Sequence, residues 1–171
     1  MARVDLTVRG GGVWGLAIAW EAARRGARVR LIEAQRLGAG ASGGLVGALA
    51  PHVPEQWNPV KAFQLDALLA AADFWAGVEA AARRPTGYAR SHRWQPLNDA
   101  AAVSLAQARG AAAGTLWRGE AAWRVIPRPD HPFAPESPTG LLIEDTLSAR
   151  LHPRMALVAL EAALRAKGAE I

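Results

Sequence analysis

Hydrophobic residues along the chain fall into short runs typical of strands and longer stretches with helical spacing, and this pattern predicts a mixed α/β fold. The first predicted elements are a strand at 4–8, a helix at 16–25 and a second strand at 27–32. A broad apolar face predicts a long helix from Pro59 to about Arg83. The other predicted elements are one or two short strands in 88–97, a helix from a cap at Asp99 through Arg109, a strand with a short helix in 115–126, a strand at 140–145, a helix over 153–167 and the start of a strand at 169–171.

A glycine-rich turn joins the first predicted strand to the first helix. Gly10, Gly12 and Gly15 have the spacing G-x-G-x-x-G, in which the first glycine suits a tight turn and the second lets a phosphate approach the backbone. The third glycine lets the helix pack close to the sheet. Glu33 ends the second strand near the position, roughly 20 residues on, where an acid accepts from ribose hydroxyls. The order predicts a dinucleotide site, because an ordinary glycine turn explains the glycines but not Glu33.

A second glycine-dense segment, Gly38–Gly47, follows the acid. Its small residues favour close approach of the backbone to another group. Leu45 and Val46 interrupt it, which a flexible linker rarely tolerates. The segment is therefore interpreted as part of a binding site.

Composition limits the class of protein. The 171 residues, 51% of them hydrophobic, suit about one globular domain. Without cysteine there is no disulfide, thiolate metal site or cysteine nucleophile, and neither a signal peptide nor a membrane span is visible, so the cytoplasm is the expected location. The net charge of +5 arises from scattered basic residues, which does not favour nucleic-acid binding.

These motifs resemble the D-amino-acid oxidase superfamily of FAD-dependent oxidoreductases. The strand–glycine–helix unit ending in Glu33 carries the resemblance, together with the loop 40–44 and the segment 48–51. Glycine oxidase and D-amino-acid dehydrogenase-type flavoproteins are the most similar members. The segment 147–153 is similar to the point where that family returns from its substrate domain.

The resemblance implies a Rossmann-type FAD-binding domain carrying an inserted, mostly β, substrate-domain segment. Residues 1–85 and 150–171 are expected to form an incomplete FAD domain, and 86–149 part of the inserted domain. The likeness covers nearly the whole chain as the N-terminal half of such an enzyme, so a fragment is expected.

The resemblance also implies a set of FAD-binding residues. The glycines of the first turn would line the pyrophosphate and Glu33 would hold the adenosine ribose. Ser42 and Gly43 would bond the pyrophosphate, and 44–48 would pass near the isoalloxazine ring. Arg9 departs from the family pattern, which has an apolar residue there. The full expected set is Gly10, Gly12, Val13, Trp14, Gly15, Glu33, Ala34, Gln35, Arg36, Ser42, Gly43, Gly44 and Gly47.

The implied reaction is hydride transfer to flavin from the α-carbon of an amino acid or amine, leaving an imine that hydrolyses. No catalytic residue is assigned, and no histidine has a partner at metal-ligand spacing. Two alternatives stay open. One is an NAD-binding dehydrogenase. The other is a non-catalytic nucleotide-binding fragment or subunit that needs a partner chain.

Four residues of the inserted segment are weaker candidates for substrate contact. Trp94 and Trp123 are candidates for a substrate pocket, and Arg90 and Arg93 for a substrate carboxylate. Core packing for the tryptophans and solvation for the strand arginines are the more ordinary interpretations.

Overall fold

The computed structural model describes residues 4–171. It is a mixed α/β fold, as the hydrophobic pattern predicts. The helices are α1 (Val13–Arg24), α2 (Pro59–Ala82), α3 (Ala100–Leu116) and α4 (Pro153–Ala166), and Ala41–Gly43 form one turn of 3-10 helix. The strands are β1 (Leu6–Arg9), β2 (Val29–Ile32), β3 (Gly47–Leu49), β4 (Ala89–Arg90), β5 (Arg93–Pro96), β6 (Trp123–Pro127), β7 (Leu141–Asp145) and β8 (Ala149–Leu151).

The chain divides into two compact units. The first contains the described residues up to Gly47, then Ala72–Tyr88 and Arg150–Ile171, and the second contains Ala48–Ala71 and Ala89–Ala149. Residues 48–71 thus group with the second unit, because Leu65 and Leu68 on α2 belong to its core cluster. Helical spacing in the sequence predicts which face of α2 is apolar, but it does not predict which unit that face packs against. The assignment of an FAD domain to 1–85 and 150–171 stays a prediction.

The first unit is built on a β-α-β unit. Strands β1 and β2 are parallel, with Leu6 opposite Val29. Helices α1 and α4 pack together and bury Leu16 and Leu160 completely. The strand expected at 169–171 is reduced to a single parallel bridge between Arg30 and Glu170.

The second unit contains an antiparallel sheet of order β5-β7-β6. Ile143 on β7 lies opposite Val125 on β6 and Gln95 on β5. Trp123 is buried beside Trp117, with ring centroids 6.1 Å apart.

Two predicted helix boundaries differ clearly from the structure, and one predicted short helix is absent. Helix α1 begins at Val13, inside the glycine motif, and not at residue 16. Helix α3 continues past the predicted end at Arg109 to Leu116, so 115–126 holds β6 but no separate short helix. Gly110 looks like a helix stop, yet a Cβ there would lie 2.9 Å from the Trp123 carbonyl oxygen, so this glycine permits close packing of helix on strand.

Candidate nucleotide-binding site

The turn between β1 and α1 requires glycine at two positions for different reasons. Gly10 has φ +106°, a backbone conformation that side chains with a Cβ rarely adopt. Gly15 lies in the first turn of α1, and a Cβ there would approach the Gly10 carbonyl oxygen to 2.0 Å. The turn therefore folds tightly against the start of the helix.

The N-terminus of α1 carries backbone N–H groups that the helix itself does not satisfy. The N–H of Val13 donates to Ser42 Oγ at 3.0 Å. The N–H groups of Trp14 and Gly15 have no acceptor among residues 4–171. No acidic side chain lies in this first turn. Two free donors at the positive end of a helix dipole are suited to a phosphate group.

Glu33 follows β2 and its carboxylate lies against the glycine turn. Oε2 accepts from the N–H of Gly11 at 2.6 Å, and Oε1 accepts from the N–H of Gln35 at 2.9 Å. These backbone hydrogen bonds, first that from Gly11, lower the pKa of Glu33 below its ordinary value. The side chain is therefore a fixed, ionised acceptor beside the phosphate-binding turn.

The second glycine segment folds back onto the first. Gly38 donates its N–H to the Gly11 carbonyl oxygen at 2.9 Å and has φ +69°. A Cβ on Gly43 would lie 2.4 Å from the Gly38 carbonyl oxygen, so these two backbones are in close contact. The loop therefore lies directly beside the glycine turn, and its interpretation as part of a binding site stays a prediction.

One residue that sequence reasoning missed is Arg154, on α4. Its Nε donates to the Gly43 carbonyl oxygen at 2.9 Å. Arg154 and Arg36 both line a cavity of about 440 Å³ whose wall includes Gly38 and Gly43. Because 111 residues separate Arg154 from Gly43, no local sequence pattern indicates this contact. The sequence indicates only that Arg154 lies near the start of the helix predicted over 153–167.

The other predicted site residues lie around this core. Gln35 bonds Glu33 through its backbone, and Ala34 and Gly44 are exposed. Trp14 is 79% exposed at the start of α1. Gly47 is the first residue of β3. A Cβ on Gly47 would lie 2.8 Å from the Leu151 carbonyl oxygen.

The four weaker candidates separate into two kinds. Trp123 is a core residue whose Nε1 donates to the Ala106 carbonyl oxygen, and Arg90 bonds the carbonyl oxygens of Thr146 and Glu120. Trp94 and Arg93 instead line a cavity of the second unit. Within the described chain, no group of three or more His, Asp or Glu side chains is placed to hold a metal ion.

Comparison with models of known protein families identifies the family of this chain over nearly its whole length. The family described as DAO, FAD dependent oxidoreductase, matches residues 5–171. The chain therefore belongs to the DAO family of FAD-dependent oxidoreductases. A search of curated proteins gives no match.

Solved structures of this fold include three that illustrate its range. L-amino acid deaminase from Proteus myxofaciens aligns with 100% of this chain and 38% of its own, at 18% identity and a TM-score of 0.75. Glycine oxidase from Bacillus cereus aligns over 99% and 47%, at 18% identity and a TM-score of 0.72. L-proline dehydrogenase from P. horikoshii aligns over 98% and 43%, at 16% identity and a TM-score of 0.68.

These likenesses establish the fold. The chain spans less than half the length of each of the three proteins. In the described part of the chain, none of the helices has the length and apolar character needed to cross a membrane.

Proposed function

We propose that the first unit binds FAD and that the protein supplies the FAD-binding part of an oxidoreductase acting on an amino acid or amine. The observation that carries this proposal is the pair of unsatisfied N–H groups, those of Trp14 and Gly15, at the N-terminus of α1. Phosphate oxygens are the natural partners of such donors. Membership of an FAD-dependent family supports FAD as the dinucleotide.

The residues present fit the parts of FAD. Gly10, Gly12 and Gly15 would leave room for the pyrophosphate, and the loop at Ser42 and Gly43 would flank it. The carboxylate of Glu33, which the N–H groups of Gly11 and Gln35 hold in place, would accept hydrogen bonds from the hydroxyls of the adenosine ribose. The predicted contacts of Val13, Trp14, Ala34, Gln35, Arg36, Gly44 and Gly47 complete the proposed set. We add Arg154 to it because Arg154 bonds the Gly43 carbonyl oxygen.

Bound FAD would supply the redox chemistry, acceptance of a hydride from the carbon next to the substrate nitrogen, and the resulting imine would be hydrolysed by water. This chain supplies orientation. The turn and α1 hold the phosphates, while 44–48 would lead the backbone toward the ring. The names of solved relatives, which include an L-amino acid deaminase and a glycine oxidase, support an amino-acid substrate. A partner chain or further polypeptide would complete the substrate site.

Competitive binding tests the proposal. FAD is titrated into the purified chain while flavin fluorescence is followed, and the titration is repeated with excess NAD. We expect saturable quenching that NAD does not reverse. Equal displacement by NAD would favour the NAD-binding alternative, and no quenching would refute FAD binding by this chain. If FAD binds, loss of the flavin band after anaerobic addition of glycine or proline tests the amine reaction separately.

A further inference from the structure

The N-terminus of α4 is capped by a histidine. The backbone of His152 is extended, and its Nδ1 accepts from the N–H of Met155 at 3.4 Å. Pro153 occupies the first helical position, where a missing N–H breaks no helical hydrogen bond. Serine, threonine, aspartate and asparagine are the side chains usually found at a helix N-cap. The cap of α4 depends instead on one imidazole nitrogen, which must carry no proton in order to accept.

A buried threonine holds the backbone of this histidine. The N–H of His152 donates to the Thr86 carbonyl oxygen at 3.2 Å, and Thr86 is fully buried. A Cβ on Gly87 would lie 2.8 Å from the His152 Cβ, so the two segments are in close contact. The cap of α4 therefore rests on the segment that follows α2.

A carboxylate on α2 fixes the threonine in turn. Oε1 of Glu79 accepts from the N–H of Thr86 at 2.7 Å and from its hydroxyl at 2.6 Å. These two hydrogen bonds, first that from the hydroxyl, lower the pKa of Glu79 below its ordinary value, so the carboxylate is ionised at neutral pH. Thr86, and with it the acceptor of the His152 N–H, therefore has a fixed position.

The first turn of α4 also carries the arginine that contacts the second glycine segment. Arg154 follows the cap by two residues, and its Nε donates to the Gly43 carbonyl oxygen at 2.9 Å. The neighbouring Ser42 hydroxyl accepts from the N-terminus of α1. Without its cap the first turn of α4 would fray, because its N–H groups have no partner within the helix. Fraying would move the Arg154 donor away from Gly43.

We propose that His152 is a positioning residue for the FAD-binding loop. It fixes the first turn of α4, and through Arg154 it holds the backbone at Gly43, where the FAD pyrophosphate would lie. Glu79 and Thr86 support it from α2. The effect on FAD rests on the proposed function, whereas the link between His152 and the loop belongs to the protein without FAD.

Hydrogen–deuterium exchange of the full 171-residue chain, without FAD, tests the link itself. His152→Ala should accelerate exchange in 38–43 about fivefold, the factor that corresponds to the loss of one typical cap, because the N–H groups of Gly38 and Gly43 are hydrogen-bonded there. His152→Asn should restore the wild-type rate, since asparagine is a strong N-cap. Unchanged exchange in His152→Ala, or equal acceleration in both variants, would overturn the proposal.

Asp99→Ala is the matched control, because it removes the cap of a different helix. Asp99 caps α3 in the second unit by accepting from the N–H of Ala102 at 2.8 Å. Its loss should lower the unfolding midpoint about as much as His152→Ala does, while exchange in 38–43 stays at the wild-type rate. Equal acceleration in Asp99→Ala would indicate a general loss of stability and would contradict a specific role for His152.

A double-mutant cycle on FAD affinity tests the route through Arg154. Arg154→Met keeps an unbranched side chain without the donor, and it should weaken FAD binding about fivefold, as should His152→Ala. The double variant should bind no more weakly than Arg154→Met alone, because both changes remove the same contact. Additive losses would refute this route. Absence of FAD binding by the wild type would refute the proposed function, and the exchange rates would still decide whether His152 fixes the loop.

Discussion

Ser42 Oγ accepts a hydrogen bond from the N–H of Val13 at 3.0 Å, although 29 residues separate the two in sequence. The contact joins the second glycine loop to the first residue of α1. It satisfies one of the donors at the helix N-terminus and leaves those of Trp14 and Gly15 open. The two glycine segments therefore lie against each other, and the proposed FAD site includes both.

Replacing Ser42 with alanine should weaken both folding and FAD binding. The change removes the acceptor that caps α1, which typically costs about 1 kcal/mol of unfolding free energy. Urea unfolding and FAD titration measure the two effects. Ser104→Ala is the control, because the exposed Ser104 hydroxyl only donates within α3, and it should change stability by no more than about 0.5 kcal/mol. A Ser42 variant with wild-type stability would show that the cap contributes nothing.

Gly15→Ala should destabilise the protein by about 3 kcal/mol, because its Cβ would meet a backbone oxygen that cannot move aside. Gly77→Ala is the opposite case. Gly77 lies inside α2 with no atom within 4 Å of a built Cβ, so alanine should stabilise the helix by up to about 1 kcal/mol. Thermal unfolding of both variants checks the prediction. Equal midpoints would contradict the tight packing of α1 on its turn.

Glu33→Gln should flatten the acid limb of the stability profile and weaken FAD binding at neutral pH. Because hydrogen bonds from Gly11 and Gln35 lower the folded-state pKa of Glu33, the carboxylate stabilises the fold above its ordinary pKa of 4.5. That stabilisation is lost as the pH falls through the lowered folded value. Urea unfolding above and below pH 4.5 measures it.

Asp5→Asn provides the matched control for Glu33. Hydrogen bonds from Arg28 lower the pKa of Asp5 from 3.8 to about 2, so its contribution also disappears with acid, between those two values. Asp5 lies away from the glycine turn, before β1, and its loss should leave FAD affinity unchanged. Equal loss of FAD affinity in the two variants would indicate a general effect of charge and not a ribose contact.

Asp145→Asn should be strongly destabilising. The side chain is fully buried and accepts from both Arg93 and Ser148, so the variant leaves a half-buried guanidinium without its counter-charge. Breaking such a pair typically costs about 3–5 kcal/mol. Asp66→Asn, which breaks the exposed pair with Arg118, should cost no more than about 1 kcal/mol. Similar unfolding free energies for the two variants would contradict a stabilising role for the buried Asp145 carboxylate.

Local sequence patterns predicted much of the first unit, because the turn between β1 and α1 is determined by glycines that are close together in sequence. The spacing of Gly10 and Gly15 and the placement of Glu33 indicate the turn directly. Contacts between segments far apart in sequence could not be predicted from local patterns. Sequence could not pair Arg154 with Gly43, or join Arg93 and Ser148 through Asp145, because each depends on how the chain returns in space. Helix ends were misplaced where glycine serves packing, as at Gly110.

The most direct test of the central claim is a visible absorption spectrum of the purified chain, recorded before and after incubation with FAD and desalting. The account predicts flavin bands that survive desalting at one flavin per chain in the wild type and that diminish in Ser42→Ala. A colourless protein after reconstitution, with the chain folded by circular dichroism, would contradict the claim that this chain holds FAD.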